Sequence, residues 1–275
     1  MHLTQSQLDE FHLRGFVKAG RVLDDADVER LREELSAVLE GRSRNQPLLN
    51  RNLLEGENEY GKARPYHQEV VQVVNIWEAS EAFLEHARHP ELTAAVARLC
   101  NNTDTLRIWH DQIQYKPARN GGPTHWHQDF PLWPILMPGD LVSAWVALDD
   151  ALIDNGCMWM VPGSHRWGNV PLKSGDSFAP LFDPALLPED AKVKAEPVEV
   201  KKGEVAFHHC MTWHGSPANK SERPRRAIAV HYMPGHTIYS PRRPHPVEQH
   251  VTVQPGEILS GAKFPVVYER ALQAA

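Results

Sequence analysis

The run His125-Trp-His127-Gln-Asp129-Phe130 sets an imidazole two residues before a carboxylate, a pairing of residue types that can hold a metal. Side chains alternate along a β-strand, so His127 and Asp129 would share one face. One further ligand would complete a site. Two histidines and one carboxylate on one side of a metal, with the other positions open, is the facial arrangement of non-heme Fe(II) oxygenases. The triplet alone decides little: with sixteen histidines in 275 residues, about one His-x-Asp is expected by chance. On a regular strand His125 shares the face of His127 and is a rival ligand.

The elements that must position these groups follow from periodicity. Thr4 with Gln7 opens a first helix in capping-box fashion, carrying Leu8 and Phe11 to Gly15. Phe16-Val-Lys is a short strand, and Leu23-Asp-Asp begins a second helix through Val28, Leu31, Leu35 and Val38 to Gly41. Residues 42–66 are charged, Asn-rich and weakly periodic, a loop long enough to serve as a lid or as plain surface. Val70 to Trp77 reads as a strand or a helix start, and Ser80 to Leu99 as one helix. Beyond Asn102 the period changes to that of strands, at Leu106–Tyr115, Leu141–Leu148, Cys157–Val161, Val198–Val200, Glu204–Phe207 and Ala227–Tyr232. Gly121-Gly-Pro123, Asn155-Gly156, Pro162-Gly163 and Lys202-Gly203 punctuate them. Helices followed by many short strands predict an α+β protein with a jelly-roll or related barrel as its core. The whole chain reads as one domain: a helical part over about 1–100, the barrel over about 104–234, and an irregular, Pro-rich tail over about 235–275.

Composition narrows the function classes. A net charge of −6 without a long basic block gives no footprint for nucleic acid. No apolar run approaches membrane-spanning length, and neither a secretory leader nor a peroxisomal tail is legible. Cys100, Cys157 and Cys210 form no CxxC pair, which fits a reducing compartment and a cytoplasmic location.

Four ordered blocks then carry a resemblance. Thr124-His-Trp-His-Gln-Asp-Phe-Pro-Leu-Trp133, Ser143-Ala-Trp-Val-Ala-Leu-Asp-Asp150, Asn155-Gly-Cys-Met-Trp-Met-Val-Pro-Gly-Ser-His165 and Trp213-His-Gly-Ser-Pro-Ala-Asn219 with Arg225 resemble the phytanoyl-CoA dioxygenase family of Fe(II)/2-oxoglutarate-dependent oxygenases, as does the opening Leu8–Phe16. The resemblance implies a double-stranded β-helix, a cupin-like jelly-roll, with N-terminal helices packed on one face. It implies iron held by His127, Asp129 and His214, and 2-oxoglutarate anchored by Arg225, eleven residues past the distal histidine, with a hydroxyl contact from Ser216. Arg226 would point to the opposite face. Trp145 resembles a position flanking the co-substrate, and Gln112 or Gln114 and Lys116 end a strand that passes near it. Related halogenases lack the carboxylate ligand, so Asp129 implies oxygenation.

The chemistry fits those residues. Iron(II) needs ligands that leave adjacent positions free for the keto acid and for O2. The far carboxylate of 2-oxoglutarate suits an arginine, whose planar fork pairs bidentately and never deprotonates. The expected reaction hydroxylates a C–H bond of a small organic molecule and releases succinate and CO2. Trp126, Phe130, Trp133 and Trp213, with Trp159, cluster in sequence around the ligands and are candidates for the substrate wall. Of His208 and His209 one must face the barrel interior, and His208 is carried as a pocket candidate. Two other classes use the same scaffold: a redox-inert zinc metallohydrolase, and a non-catalytic jelly-roll binding protein. A hydrolase has no need of a dicarboxylate anchor, so Arg225 and Ser216 discriminate against it.

Overall fold

The computed structural model of the chain describes residues 1–52, 71–173 and 178–270. Its strands are β1 (Phe16–Arg21), β2 (Leu49–Asn52), β3 (Val71–Val74), β4 (Thr105–Lys116), β5 (Thr124–His127), β6 (Leu136–Met137), β7 (Val142–Ala147), β8 (Met158–Met160), β9 (Leu172–Lys173), β10 (Leu181–Phe182), β11 (Glu196–Val198), β12 (Glu204–His209), β13 (His214–Ser216), β14 (Arg225–Pro234), β15 (Ile238–Tyr239) and β16 (Val266–Glu269). The larger antiparallel sheet runs β1-β12-β7-β14-β4-β3-β2, with β16 added on β4. The smaller runs β11-β8-β13-β5. Their facing side chains form one buried layer: Trp145, Ala206, Ala227 and Ala229 from the larger sheet, Met158, Met160 and Val198 from the smaller. Two sheets closed over such a layer are the jelly-roll core.

Strand alternation sorts β14 cleanly. Ile228, Val230 and Tyr232 face outward and pack with the helices in the largest apolar cluster, while Ala227, Ala229 and His231 face the barrel interior. The helices that cover the outer face are α1 (Gln5–Arg14), α2 (Asp25–Leu39), α3 (Glu81–Ala87) and α4 (Pro90–Leu99). Thr4 and Gln7 cap α1 reciprocally, and Val28, Leu31, Leu35 and Val38 of α2 are buried as their spacing predicts. The single helix expected over 80–99 is two. Pro90 lacks an N–H and disfavours helical backbone at His89, so α3 ends before it and Pro90 becomes the first residue of α4.

Two other expectations change. The tail supplies β15 and β16, so it is not wholly irregular. Of the segment read as a loop or lid, residues 49–52 pair with β3 as β2, and 53–66 lie outside the described residues. Its role as a lid therefore rests on sequence alone.

One contact ties α1 to the interior. Gly15 closes the helix at φ +82°, and its carbonyl accepts both the His209 amide and the Thr212 hydroxyl at 2.8 Å. That fixes the β12–β13 connection immediately before His214. A Cβ on Gly15 would sit 2.4 Å from His165 Nδ1 and 2.5 Å from Thr212 Oγ1, on backbone that L-residues avoid. Gly15→Ala is therefore expected to cost about 2–4 kcal/mol, seen as a melting temperature lowered by about 5–10 °C.

Candidate metal centre

His127 and His214 are directly opposed on neighbouring strands β5 and β13. Their ring centroids are 4.2 Å apart. Each ring's Nδ1 lies 2.8 Å from a backbone carbonyl two residues earlier, His125 for His127 and Thr212 for His214. A carbonyl only accepts, so Nδ1 carries the proton in both rings and the lone pair is left on Nε2. Both Nε2 atoms converge on one carboxylate oxygen: Asp129 Oδ1 is 3.4 Å from that of His127 and 3.6 Å from that of His214. The three donor atoms lie within 4.8 Å of one another, and no other group of three such residues does so among the described residues.

Asp129 reaches this point from a turn and not from the strand. β5 stops at His127, and Asp129 has helical backbone at the start of the 3-10 turn Phe130–Leu132. The amides of Asp129 and Phe130 donate to Cys210 O at 2.9 and 3.1 Å, pinning the turn to the β12–β13 connection. The rival ligand His125 is exposed and contributes only its carbonyl. Burial alone would push the Asp129 carboxyl up, but the imidazoles of His214, His127 and His208 outweigh it and hold the group well below the usual carboxylate range. Burial lowers the His127 pKa, yet the Asp129 carboxylate beside it leaves the ring above its ordinary value. His214 is pressed down to about 3 by burial and by His127. A neutral imidazole and an ionised carboxylate are the forms a divalent metal binds.

At the other end of the inner face of β14 stands Arg225, with Ala227 and Ala229 between it and His231. The guanidinium is fully buried. Its Nη2 is 3.4 Å from Ser216 Oγ, its Nη1 is 3.4 Å from Gln114 O, and its Nε has no partner. No acidic side chain pairs with it among the described residues, and burial lowers its pKa to about 10. Arg226 points the other way and is held bidentately by Asp149 at 2.8 Å on both prongs. A buried cation with a free donor and two long bonds, followed on its strand face by two alanines, is a cradle that fits a carboxylate. The indole of Trp145 lies 5.5 Å from the Arg225 carbon and donates to Gln114 at 3.3 Å.

Lys116 and Gln112 sit differently from a co-substrate role. Lys116 Nζ is 2.8, 3.3 and 2.7 Å from the carbonyls of Gly122, Ser216 and Pro217, so its hydrogen bonds go to backbone; burial, aided by Arg225, lowers its pKa to about 5. It clasps the segment that carries Ser216. Gln112 accepts from Gln72 and lies 3.2 Å from His231 Nε2, at the end of the barrel that holds Asp129.

The expected substrate wall divides. Trp126 and Trp213 directly precede His127 and His214, so alternation turns them to the opposite face of the smaller sheet. There they form an outer cluster with Val161, Val170 and Phe182, and Trp126 Nε1 donates to Phe178 O at 2.8 Å. Trp126→Phe is accordingly expected to lower stability by about 1–2 kcal/mol and to leave 2-oxoglutarate affinity within about twofold, measured by denaturant unfolding and by titration. Trp133 lies 5.0 Å from the His231 ring, and half-buried Phe130 stacks under Arg242 at 5.1 Å. His208 is the inward member of its pair, with Nε2 3.2 Å from Asp129 Oδ2, while His209 packs toward Phe11 and His165. Ser143 and His231 also approach Asp129; the sequence reading gave neither a role, and the one available signal was a hydroxyl in an otherwise apolar strand.

Comparison with known proteins bears on this geometry. The family profile described as phytanoyl-CoA dioxygenase matches residues 11–227. The peroxisomal phytanoyl-CoA dioxygenase of Homo sapiens is 28% identical over 240 residues, 84% of this chain and 68% of that protein. Among solved structures, the non-heme alpha ketoglutarate dependent carbocyclase SnoK from nogalamycin biosynthesis superposes with a TM-score of 0.74 at 27% identity, covering 96% of each chain. The epimerase SnoN, solved with Fe3+, alpha ketoglutarate and nogalamycin RO, gives 0.68 at 23% identity over 96% of this chain and 98% of that one, a likeness of fold.

Proposed function

Because the chain belongs to the phytanoyl-CoA dioxygenase family of Fe(II)/2-oxoglutarate-dependent oxygenases, we propose that His127, Asp129 and His214 hold its iron and that Arg225 with Ser216 anchors 2-oxoglutarate. The protein is an Fe(II)- and 2-oxoglutarate-dependent, O2-using enzyme, and the zinc hydrolase and binding-protein alternatives lose their ground. The observation that carries the residue assignment is Arg225: a fully buried guanidinium with an unpartnered Nε, aligned on one strand face with the metal side of the barrel. A hydrolase has no use for such a dicarboxylate anchor, and a binding protein has none for a converged His-Asp-His set.

Bound at the three ligands, iron supplies activation of O2 coupled to decarboxylation of 2-oxoglutarate, so that RH, 2-oxoglutarate and O2 become ROH, succinate and CO2. The chain's own residues do the rest. The carbonyls of His125 and Thr212 hold both imidazoles with Nε2 forward. Arg225 and Ser216 fix one end of the co-substrate, and Trp145 walls its side. Asp129 fills the position that a halide would need, which favours oxygenation. The substrate we read as a small organic molecule: the solved relatives named for nogalamycin biosynthesis support that class, and the acidic chain offers no block of basic residues for a coenzyme A phosphate. Three buried, unpaired cysteines and the lack, among the described residues, of any helix long and apolar enough to cross a membrane support a cytoplasmic site of action.

Anaerobic titration of the Fe(II)-loaded protein with 2-oxoglutarate tests the reading. A visible charge-transfer band growing with co-substrate is expected. If iron binds and no band forms, the assignment falls.

A further inference from the structure

The far oxygen of Asp129 is not left to solvent. Oδ1 faces the two ligand imidazoles, while Oδ2 meets His208 Nε2 at 3.2 Å and Ser143 Oγ at 3.4 Å. Ser143 Oγ lies 2.6 Å from His231 Nδ1, whose other nitrogen is 3.2 Å from Gln112 Nε2, and Gln112 is bonded in turn to Gln72. Every one of these groups from β4, β7, β12 and β14 is buried. His208 is not a fourth ligand: its nitrogens fall outside the set of donors that lie within 4.8 Å of one another. Its Nδ1 has no partner, so Nε2 carries the proton and donates to the carboxylate.

We infer that His208, seconded by Ser143, is a positioning residue that keeps Asp129 monodentate and so preserves the open iron position that 2-oxoglutarate must take. The inference rests on the iron and 2-oxoglutarate reading above. A carboxylate has two oxygens, and both can reach one metal when nothing restrains the second. Three protein ligands leave three positions on an octahedral ion. The keto acid takes two of them and O2 takes the last. A bidentate Asp129 would occupy one of the three, so the keto acid could chelate only by displacing it. Holding Oδ2 by two hydrogen bonds in a buried network removes that competitor before the co-substrate arrives. A single Oδ2 donor would leave the carboxylate free to swing about it. The chain provides two, from different strands, and backs one of them with His231.

His208→Leu removes the donor and keeps the volume roughly filled; His208→Gln keeps an N–H donor. Two affinities are read anaerobically, Fe(II) by competition with a chelator and 2-oxoglutarate by its charge-transfer band, and Co(II) is substituted to follow coordination by its visible d–d spectrum. His208→Leu is expected to retain Fe(II) affinity within about threefold but to weaken 2-oxoglutarate chelation about 10–100-fold, the factor that the loss of one hydrogen bond to a charged group carries. The Co(II) spectrum before co-substrate should differ from wild type. His208→Gln should recover most of both readouts. A wild-type chelation curve in the Leu variant overturns the inference, and so does a loss of metal affinity matching the loss of chelation in a folded protein. If the Leu variant does not fold, Ser143→Ala removes the second bond and is held to the same outcomes. A wild-type protein that binds iron without a chelate band would instead sink the proposed function, so the two failures are separable.

Discussion

Arg225→Ala is expected to raise the 2-oxoglutarate concentration needed for chelation by about a hundredfold or more while leaving Fe(II) affinity within about twofold. Truncating one partner of a buried, hydrogen-bonded charge pair costs about 2–5 kcal/mol, and each 1.4 kcal/mol is about tenfold. The upper part of that range applies here because the guanidinium is fully buried and, among the described residues, no acidic side chain pairs with it. Arg225→Lys should recover only part of the loss, since a point charge on a shorter reach cannot pair both carboxylate oxygens in one plane. Stability should move the other way. Without co-substrate the buried cation is uncompensated, with two bonds at 3.4 Å and a free Nε, so Arg225→Met is expected to melt no lower than wild type in the absence of 2-oxoglutarate. Adding 2-oxoglutarate and metal should raise the wild-type melting point and hardly move the variant. If Arg225→Met binds the co-substrate like wild type, the anchor lies elsewhere.

What the sequence disclosed and what it hid divide along range of interaction. The Thr4–Gln7 cap, the Gly15 stop and the buried stripe of α2 are local, set by residues three or four apart, and are legible as such. Pro90 is equally local: it disfavours helical backbone at His89 and divides the helix expected over 80–99 into α3 and α4. The face of Arg225 against that of Arg226 follows from strand period alone, and Asp149 on the outer one bears it out. The same period turns Trp126 and Trp213 to the face opposite His127 and His214, which they neighbour; proximity in sequence is separation across a sheet. Asp129 meets His127 through a turn fastened to Cys210, not through strand alternation, so the two side chains converge for a reason that their spacing does not carry. The set around Oδ2 joins β7, β12 and β14, and β4 beyond them. No spacing within one segment encodes such a set, and only the register of the folded sheet brings it together.

Asp129→Asn should abolish turnover through loss of the metal rather than of the co-substrate anchor. The substitution is nearly isosteric, so its effect is chemical. The amide has one acceptor oxygen and one NH2 donor where the carboxylate has two acceptors. If the oxygen faces the metal, the NH2 meets the Nε2–H of His208, donor against donor at a position now 3.2 Å away. If the NH2 turns inward instead, it meets the cation with no lone pair to offer. Either orientation loses a good interaction in a buried site, and the charge that balanced the metal is gone. Structural zinc sites of four protein ligands bind with about 10–16 kcal/mol, about 3 kcal/mol for each ligand, and a loss of that size here is about a hundredfold in affinity. Metal content after desalting, by elemental analysis, checks this: wild type should retain close to one Fe(II) and Asp129→Asn almost none, with turnover at background. Arg225→Ala should retain the metal and lose chelation, as should His208→Leu, and only the latter should alter the Co(II) spectrum before co-substrate is added. Full metal retention in Asp129→Asn would mean that the carboxylate is not a ligand. His208, 3.2 Å from the same side chain, would then be the group to examine as a third imidazole on the ion.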